Sequence, residues 1–510
     1  MKPNILFIMA DDHAAHAIGA YGSAINSTRN IDRLAAEGML FDNCHVSNSI
    51  CAPSRAAILT GTYNHANRVT TLHARLDNRL PNVAKHLRAA GYQTAIIGKW
   101  HLGHGPSHDP TGFDHWDVLP GQGRYHDPEF MTNDGPTVDR GYVTDVITDK
   151  CLQWLERRDT NRPFFLMCHH KAPHRPWDPL PSDRGLYLDP IPLPLTLRDD
   201  YRNRCEAASQ FKVRVSDDLT YDDLDLVQLP ESPGELYGGG ERKKVPHPKD
   251  VHGFTLRCRN TGEVFTFDTS DELLEFKYQR YMRKYLQTVH AIDRSVGRIL
   301  RYLDEHEQTD NTMVVYTSDQ GFFLGDHGWF DKRYMYEHAL RMPLLVRYPD
   351  LIHPATECGE MVSNVDFAPT FLDVAGLRIP NYVQGRSIVP LLGGTVPADW
   401  PDLVYHRYWM NRDKEVDAVA HYGIRTHRYK LIYWYDKACG EPGAFPGRGT
   451  KAWELFDLER DPDELLNVYD DPDYHPIARE MTDKLEAKML EIGDTWEHRN
   501  DSLGSEEVRT

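Results

Sequence analysis

Several short segments of this chain carry side chains that could act together. Cys51 heads the run Cys51-Ala52-Pro53-Ser54-Arg55, which continues into Ala56-Ala57-Ile58-Leu59-Thr60-Gly61. Pro53 suits a first helical turn and Gly61 suits the exit. Cys51 is therefore expected at a helix N-terminus, where backbone donors favour an anion. Arg55 lies one turn along on the same face. Taken alone, Cys51 reads as an inert buried thiol. Asp11 and Asp12 follow the apolar run Asn4–Ala10, and Asp319 and Gln320 follow Met313–Thr317. Polar residues just past buried strands sit where open α/β sheets bind ligands. Three carboxylates and an amide carbonyl suit a hard cation, Ca²⁺ or Mg²⁺. Lys99 and His101 are two residues apart, so they share a side if the strand before them keeps its alternation. His169, His170 and His174 end another apolar run, and Lys332 lies in Phe330-Asp331-Lys332-Arg333. Fixed cations suit an anionic substrate, and imidazoles suit proton transfer.

Elements able to position these residues are legible. Residues 4–10 read as a buried parallel strand. A helix is expected from Asn30 to Glu37 with Gly38 as its cap, and another from Leu80 to Ala90 before the strand Thr94–Ile97. Val143–Arg157 reads as an amphipathic helix and Pro163–His169 as a strand. Thr269 and Glu272 have capping-box spacing. After them Tyr278, Met282, Tyr285, Val289, Ile292, Val296, Ile299 and Leu303 form one apolar stripe of a long helix. This alternation predicts an α/β fold, a large mixed and mostly parallel sheet sandwiched by helices. Residues 178–270 break the rhythm with Pro, Asp and Gly, including Gly238-Gly239-Gly240. They read as an insertion in which Phe254–Leu256 and Val264–Phe267 pair as a hairpin. From about residue 396 the style changes again. His421–Tyr435 reads as two strands and a turn, Glu454–Leu458 as a further strand, and Ile477–Leu490 as a closing helix. The expected division is a catalytic domain over 1–395 and a smaller antiparallel-sheet subdomain over 396–510.

Composition bounds the function classes. The chain has 510 residues, 40% hydrophobic and 26% charged, as expected of a globular protein. No apolar run approaches the ~20 residues of a membrane span. Formal net charge is −18, which argues against nucleic acid and anionic membranes as partners. Positive charge for an anionic substrate must then be local. Eight scattered cysteines with no C-x-x-C pair suggest neither a zinc site nor a disulfide framework. The apolar run after Met1-Lys2-Pro3 is too short for a signal-peptide core, so a cytoplasmic protein is expected, or an exported one if a leader has been removed.

Cys51-Ala52-Pro53-Ser54-Arg55 resembles the C-x-P-S-R signature of the type I sulfatases, formylglycine-dependent enzymes of the alkaline phosphatase superfamily. Three further segments resemble that family in order and spacing. They are Asn4–His13, Gly91-Tyr92-Gln93-Thr94-Ala95-Ile96-Ile97-Gly98-Lys99-Trp100-His101-Leu102-Gly103, and Thr317–Gly321 followed by Gly325-Asp326-His327-Gly328. The resemblance implies that Cys51 is oxidised by a formylglycine-generating system. The aldehyde hydrate is then the nucleophile and also touches a calcium ion held by Asp11, Asp12, Asp319 and Gln320. The family often carries Asn where this chain has Gln320, which offers the same carbonyl on a longer arm. By the same resemblance Arg55 stabilises the hydrate, and Lys99 and Lys332 bind sulfate. His101 serves as base and His174, in its Ala-Pro-His context, as general acid. His169 or His170 could be mistaken for His174, and Arg333 for Lys332.

The stretches Phe113–Gly123, His170–Arg175 and Phe330–Glu337 resemble bacterial carbohydrate sulfatases of the N-acetylglucosamine-6-sulfatase type. His170, and His406, Tyr408, Trp409 and His421 of the C-terminal subdomain, are candidates for a sugar subsite, and ordinary core or surface roles stay open for them. Two other functions remain: a phosphodiester or phosphonate monoester hydrolase of the same superfamily, and a non-catalytic protein that binds sulfated glycans.

Overall fold

The computed structural model describes residues 2–229, 248 and 250–499. Ten strands form its main sheet. Five central strands, Thr312–Ser318, Asn4–Ala10, Phe164–His169, Gln93–Lys99 and His115–Leu119, run parallel in that spatial order. Leu344–Arg347 and Met39–Phe41 extend one edge antiparallel, with Thr356–Cys358 outermost and parallel to its neighbour. Glu129–Thr132 and Gly135–Val138 extend the other edge as an antiparallel pair.

Strand alternation feeds two cores. Ile5, Phe7 and Met9 face Ala52, Ala56, Leu87 and Phe371 from the helices Cys51–Thr60, Val83–Ala89 and Phe367–Val374. Leu6, Ile8 and Ala10 face Ile31, Leu34, Ile147, Ile292 and Ile299 from Arg29–Ala36, Val143–Arg157 and Ser270–Glu305. The central strands are thus apolar on both faces. The long helix opens on the expected Thr269–Glu272 capping box, and all eight residues of its stripe are buried. Each such large apolar side chain contributes about 1.5–3 kcal/mol over exposure.

Gly38 departs from expectation. The helix before it ends at Ala36 with Glu37 as its C-cap, and Gly38 is not among the residues of positive φ. A side chain there would meet the Val346 carbonyl at 2.2 Å, so Gly38 permits close approach of two backbones.

Within 178–270 the hairpin forms as Phe254–Cys258 and Val264–Phe267, joined by a third strand, Leu226–Gln228. Gly238-Gly239-Gly240 lies outside the described residues. The C-terminal region forms an antiparallel sheet of Leu403–Tyr408, His421–Thr426, Tyr429–Trp434 and Ala452–Asp457, closed by the helix His475–Ile492. Among the described residues no helix is long and apolar enough to cross a membrane.

Candidate active site

The C-terminal ends of three of the five parallel strands deliver most of the site. Asn4–Ala10 leads into Asp11 and Asp12, Thr312–Ser318 into Asp319 and Gln320, and Gln93–Lys99 ends on Lys99. Register Ala10↔Ser318 puts the two acidic segments side by side, and the Asp12 amide donates to Asp319 Oδ1 at 3.2 Å. Asp12 takes a positive φ of 74°, a conformation Asp tolerates better than most residues. Tyr285, on the long helix, donates from its hydroxyl to the Asp12 carbonyl at 2.8 Å.

Cys51 is the first residue of the helix Cys51–Thr60, whose ten residues are all buried and whose exit, Gly61, is left-handed. Its Sγ lies 3.4 Å from Asp11 Oδ1. Arg55, one turn on, donates to Asp319 Oδ2 from Nε and Nη2 at 3.0 and 2.8 Å, and from Nη1 to the Lys99 carbonyl at 2.9 Å. The Lys99 ammonium pairs with Asp11. Lys332 Nζ reaches both Asp12 oxygens at 2.6 Å. His174 Nε2 lies 3.8 Å from Asp12 Oδ2, and its Nδ1 meets the Arg175 carbonyl at 2.6 Å. That contact makes Nδ1 the donor to the carbonyl, so the neutral ring keeps its proton there and Nε2 faces the site as the atom that takes up a second proton when the ring becomes charged. His101, with φ at 57°, has its Nε2 3.5 Å from Gln122 Nε2.

Electrostatics separates the carboxylates. Burial pushes both Asp12 and Asp319 up. Asp12 reaches about 7, where burial outweighs the opposing Lys332 ammonium and Asp11, Asp319 and Asp331 add to the rise. Asp319 reaches about 6, with Asp11 again adding to burial. Burial also opposes charge on Asp11, but Lys99, His174 and Arg55 hold it well below the usual range. Burial and Lys99 push His101 and His174 well down, so both rings are neutral. The Cys51 thiol moves up, through burial first and then the Asp11 charge. The helix N-terminus does not offset these effects. A thiol held protonated is a poor nucleophile.

The donor set fits a divalent cation. One oxygen from each of Asp11, Asp12 and Asp319 lies within 4.8 Å of the others. Gln320 Oε1 is buried without a hydrogen-bond partner, while Nε2 meets Asp319 Oδ1 at 2.7 Å. An unpaired buried amide oxygen beside repelling carboxylates is the arrangement a hard cation satisfies.

Three expected substrate contacts lie elsewhere. His170 is fully buried, with Nε2 3.1 Å from Ser295 Oγ on the long helix. His406 is fully buried with Nδ1 3.0 Å from the Val46 carbonyl. His421 is fully buried, accepts from the Met335 amide at 3.1 Å and meets the Val419 carbonyl at 2.9 Å. These rings are engaged in packing and pairing with backbone or Ser295. His169 also stays in the sheet, its Nδ1 3.1 Å from the Lys99 carbonyl.

The geometry adds residues that sequence reasoning missed. Ser54 donates its hydroxyl to the Asp319 carbonyl and receives Asn364 Nδ2 at 2.9 Å. Gln122 accepts from the Lys99 ammonium; its position just past the strand His115–Leu119 was the available signal. Arg175 bridges Asp223 at 3.1 Å and Asp331 at 3.4 Å, so the segment 178–270 reaches the site rim. Nothing local in the sequence pairs Arg175 with Asp223.

A model of the sulfatase family matches residues 3–377, and one for the C-terminal part of N-sulphoglucosamine sulphohydrolase matches residues 325–491. The chain is 42% identical over 505 residues to an N-acetylglucosamine-6-O-sulfatase of Bacteroides thetaiotaomicron, covering 97% of this chain and 87% of that protein. A solved structure of a protein in complex with its substrate, D-glucosamine-2-N,6-O-disulfate, matches with a TM-score of 0.85 and 39% identity over 97% of this chain and 98% of that one. A phosphonate monoester hydrolase of Agrobacterium radiobacter shares the fold, at TM-score 0.70 and 22% identity over 96% of both chains.

Proposed function

The chain belongs to the sulfatase family, and from that premise we propose that it removes the 6-O-sulfate of an N-acetylglucosamine-type residue in a sulfated glycan. The observation that carries the reaction is the meeting of Cys51 with Asp11, Asp12 and Asp319 between Arg55, Lys99 and Lys332. The sugar assignment is supported by the N-acetylglucosamine-6-O-sulfatase relative.

Asp11, Asp12, Asp319 and Gln320 would hold the cation. An all-oxygen protein cage suits calcium better than magnesium, which keeps several waters. When bound, the cation polarises the ester and lowers the cost of charge on sulfate. Formylglycine at position 51 supplies a hydrated aldehyde, a nucleophile the protonated thiol cannot match. Cys51 is 1% exposed, so its oxidation precedes completion of the fold. Arg55 offers fixed donors at the head of the helix to the nucleophile's oxygen. Lys99 and Lys332 exchange carboxylate contacts for sulfate oxygens and orient the ester. His174 Nε2 holds the proton that passes to the departing sugar oxygen; its pKa rises from its depressed free value when the sulfate anion arrives. His101, neutral in the free protein, accepts the proton released as sulfate leaves.

The test is protein made with a formylglycine-generating system and assayed by kcat/KM on N-acetylglucosamine 6-sulfate, other sugar sulfates, an aryl sulfate and an aryl phosphonate monoester. The 6-sulfate is expected to lead. Cleavage of the phosphonate ester with no sulfate released from any sugar would overturn the reading. Mass spectrometry of the Cys51 peptide reports whether the aldehyde is present.

A further inference from the structure

A second group of ligand-type side chains lies outside the catalytic cluster. His16 sits in the single turn Ala15–Ala17, Asp326 in the turn Asp326–Gly328, and His338 in the short helix Glu337–Leu340. His16 Nε2 lies 3.3 Å from Asp326 Oδ2, and His338 Nε2 lies 3.4 Å from Asp326 Oδ1. The two imidazole rings meet edge to face, with centroids 5.1 Å apart. One donor atom from each of the three residues lies within 4.8 Å of the others. His16 and His338 line a cavity of about 310 Å³ together with Arg341, Arg425 and Asp463.

We propose that His16, Asp326 and His338 bind a transition-metal ion of the zinc class at a site separate from the carboxylate cluster beside Cys51. Three observations carry this. First, the separations suit an ion: ligand atoms ~2.0–2.1 Å from a tetrahedral ion lie about 3.3–3.4 Å apart, and each imidazole nitrogen lies that far from an oxygen of Asp326, His16 from Oδ2 and His338 from Oδ1. His16 Nε2 makes no hydrogen bond despite pointing at a carboxylate, as expected if the gap is sized for an ion. Second, the donor set is two imidazoles and one carboxylate, which suits zinc and its neighbours, whereas the all-oxygen cluster suits calcium. Third, the cavity lies beside both imidazoles.

The three ligands come from segments that also deliver catalytic residues. His16 follows Asp11-Asp12 by four residues, Asp326 precedes Lys332 by six, and His338 follows it by six. A bound ion would clip these segments together from outside the reaction centre, adding stability by binding only the folded state.

The experiment is equilibrium dialysis of the intact protein against Zn²⁺ with Ca²⁺ in excess, followed by metal analysis and thermal melting. One Zn²⁺ per chain is expected, with a rise in Tm. In His16→Gln and His338→Gln, both confirmed folded by circular dichroism, affinity should fall more than about tenfold and the rise in Tm should vanish. In Cys51→Ser the zinc should remain. Co²⁺ loaded into the wild-type chain should give the visible absorption of a tetrahedral N/O site, a readout that needs no variant. Zinc retained in both histidine variants, zinc lost in Cys51→Ser, or no zinc above background and no Co²⁺ absorption would each overturn the proposal.

Discussion

Cys51 occupies a contradictory position: it heads a helix, yet burial and Asp11 hold its thiol protonated. Restoring a hydroxyl does not restore the hydrated aldehyde. Cys51→Ser is therefore expected to lose turnover by several orders of magnitude unless the serine is itself converted, as a sulfate-release assay on folded protein would show. His174 is tested through its leaving group. His174→Ala should slow sugar sulfates by roughly 10²–10⁴ and aryl sulfates far less, because a phenolate departs without a proton. Equal losses on both substrates would remove His174 from the acid role. The carboxylates give a pH prediction. Asp12 and Asp319 keep their protons up to about 7 and about 6 in the metal-free protein. Their folded pKa values are raised, so ionising them costs stability as pH rises through that window. A cation that needs them ionised must displace those protons. Calcium binding should therefore release protons at pH 5.5, and affinity should climb with pH and level off above about 7. Calorimetry in buffers of different ionisation heat measures this, and no proton release at pH 5.5 would contradict the assignment.

The strand Gln93–Lys99 shows how one element carries the site. Gly98 has φ at 109°, and a side chain there would meet the His169 carbonyl at 1.8 Å. Only glycine fits beside the neighbouring strand, and the next residue is Lys99. Gly98→Ala should cost at least about 2 kcal/mol from backbone strain and collision, and it should displace Lys99 as well. A urea midpoint equal to wild type would refute this. The helix Cys51–Thr60 was legible because Pro53 and Gly61 bracket it. The strands were legible because their apolar runs are short and continuous. Gly38 was misread for a physical reason: a glycine after a helix can serve a left-handed cap or a close approach, and only the Val346 carbonyl distinguishes them.

The C-terminal sheet is bound into the catalytic layer. Met335 donates to His421, the Tyr334 ring packs 4.6 Å from Trp434, and buried Lys430 joins Glu337 at 2.9 Å and Glu464 at 2.6 Å. Residues two to five positions from Lys332 thus take their partners from beyond residue 400. A chain ending at residue 395 is expected not to fold, and the full chain should melt in one transition. Separate transitions in calorimetry would show two independent units. The same dependence explains the limits of the sequence. By itself the sequence determined the main sheet, because strand periodicity is local, and its signature segments carried the family resemblance that implied the reaction class. It also picked out Asp11, Asp12, Asp319, Lys99 and Lys332, which the structure gathers around Cys51. The fates of His169, His170, His406 and His421, the bridge from Arg175 to Asp223, and the meeting of His16 with Asp326 and His338 were decided only by the tertiary structure. Burial and pairing of a side chain are set by whichever distant element packs against it, and no local pattern encodes that neighbour.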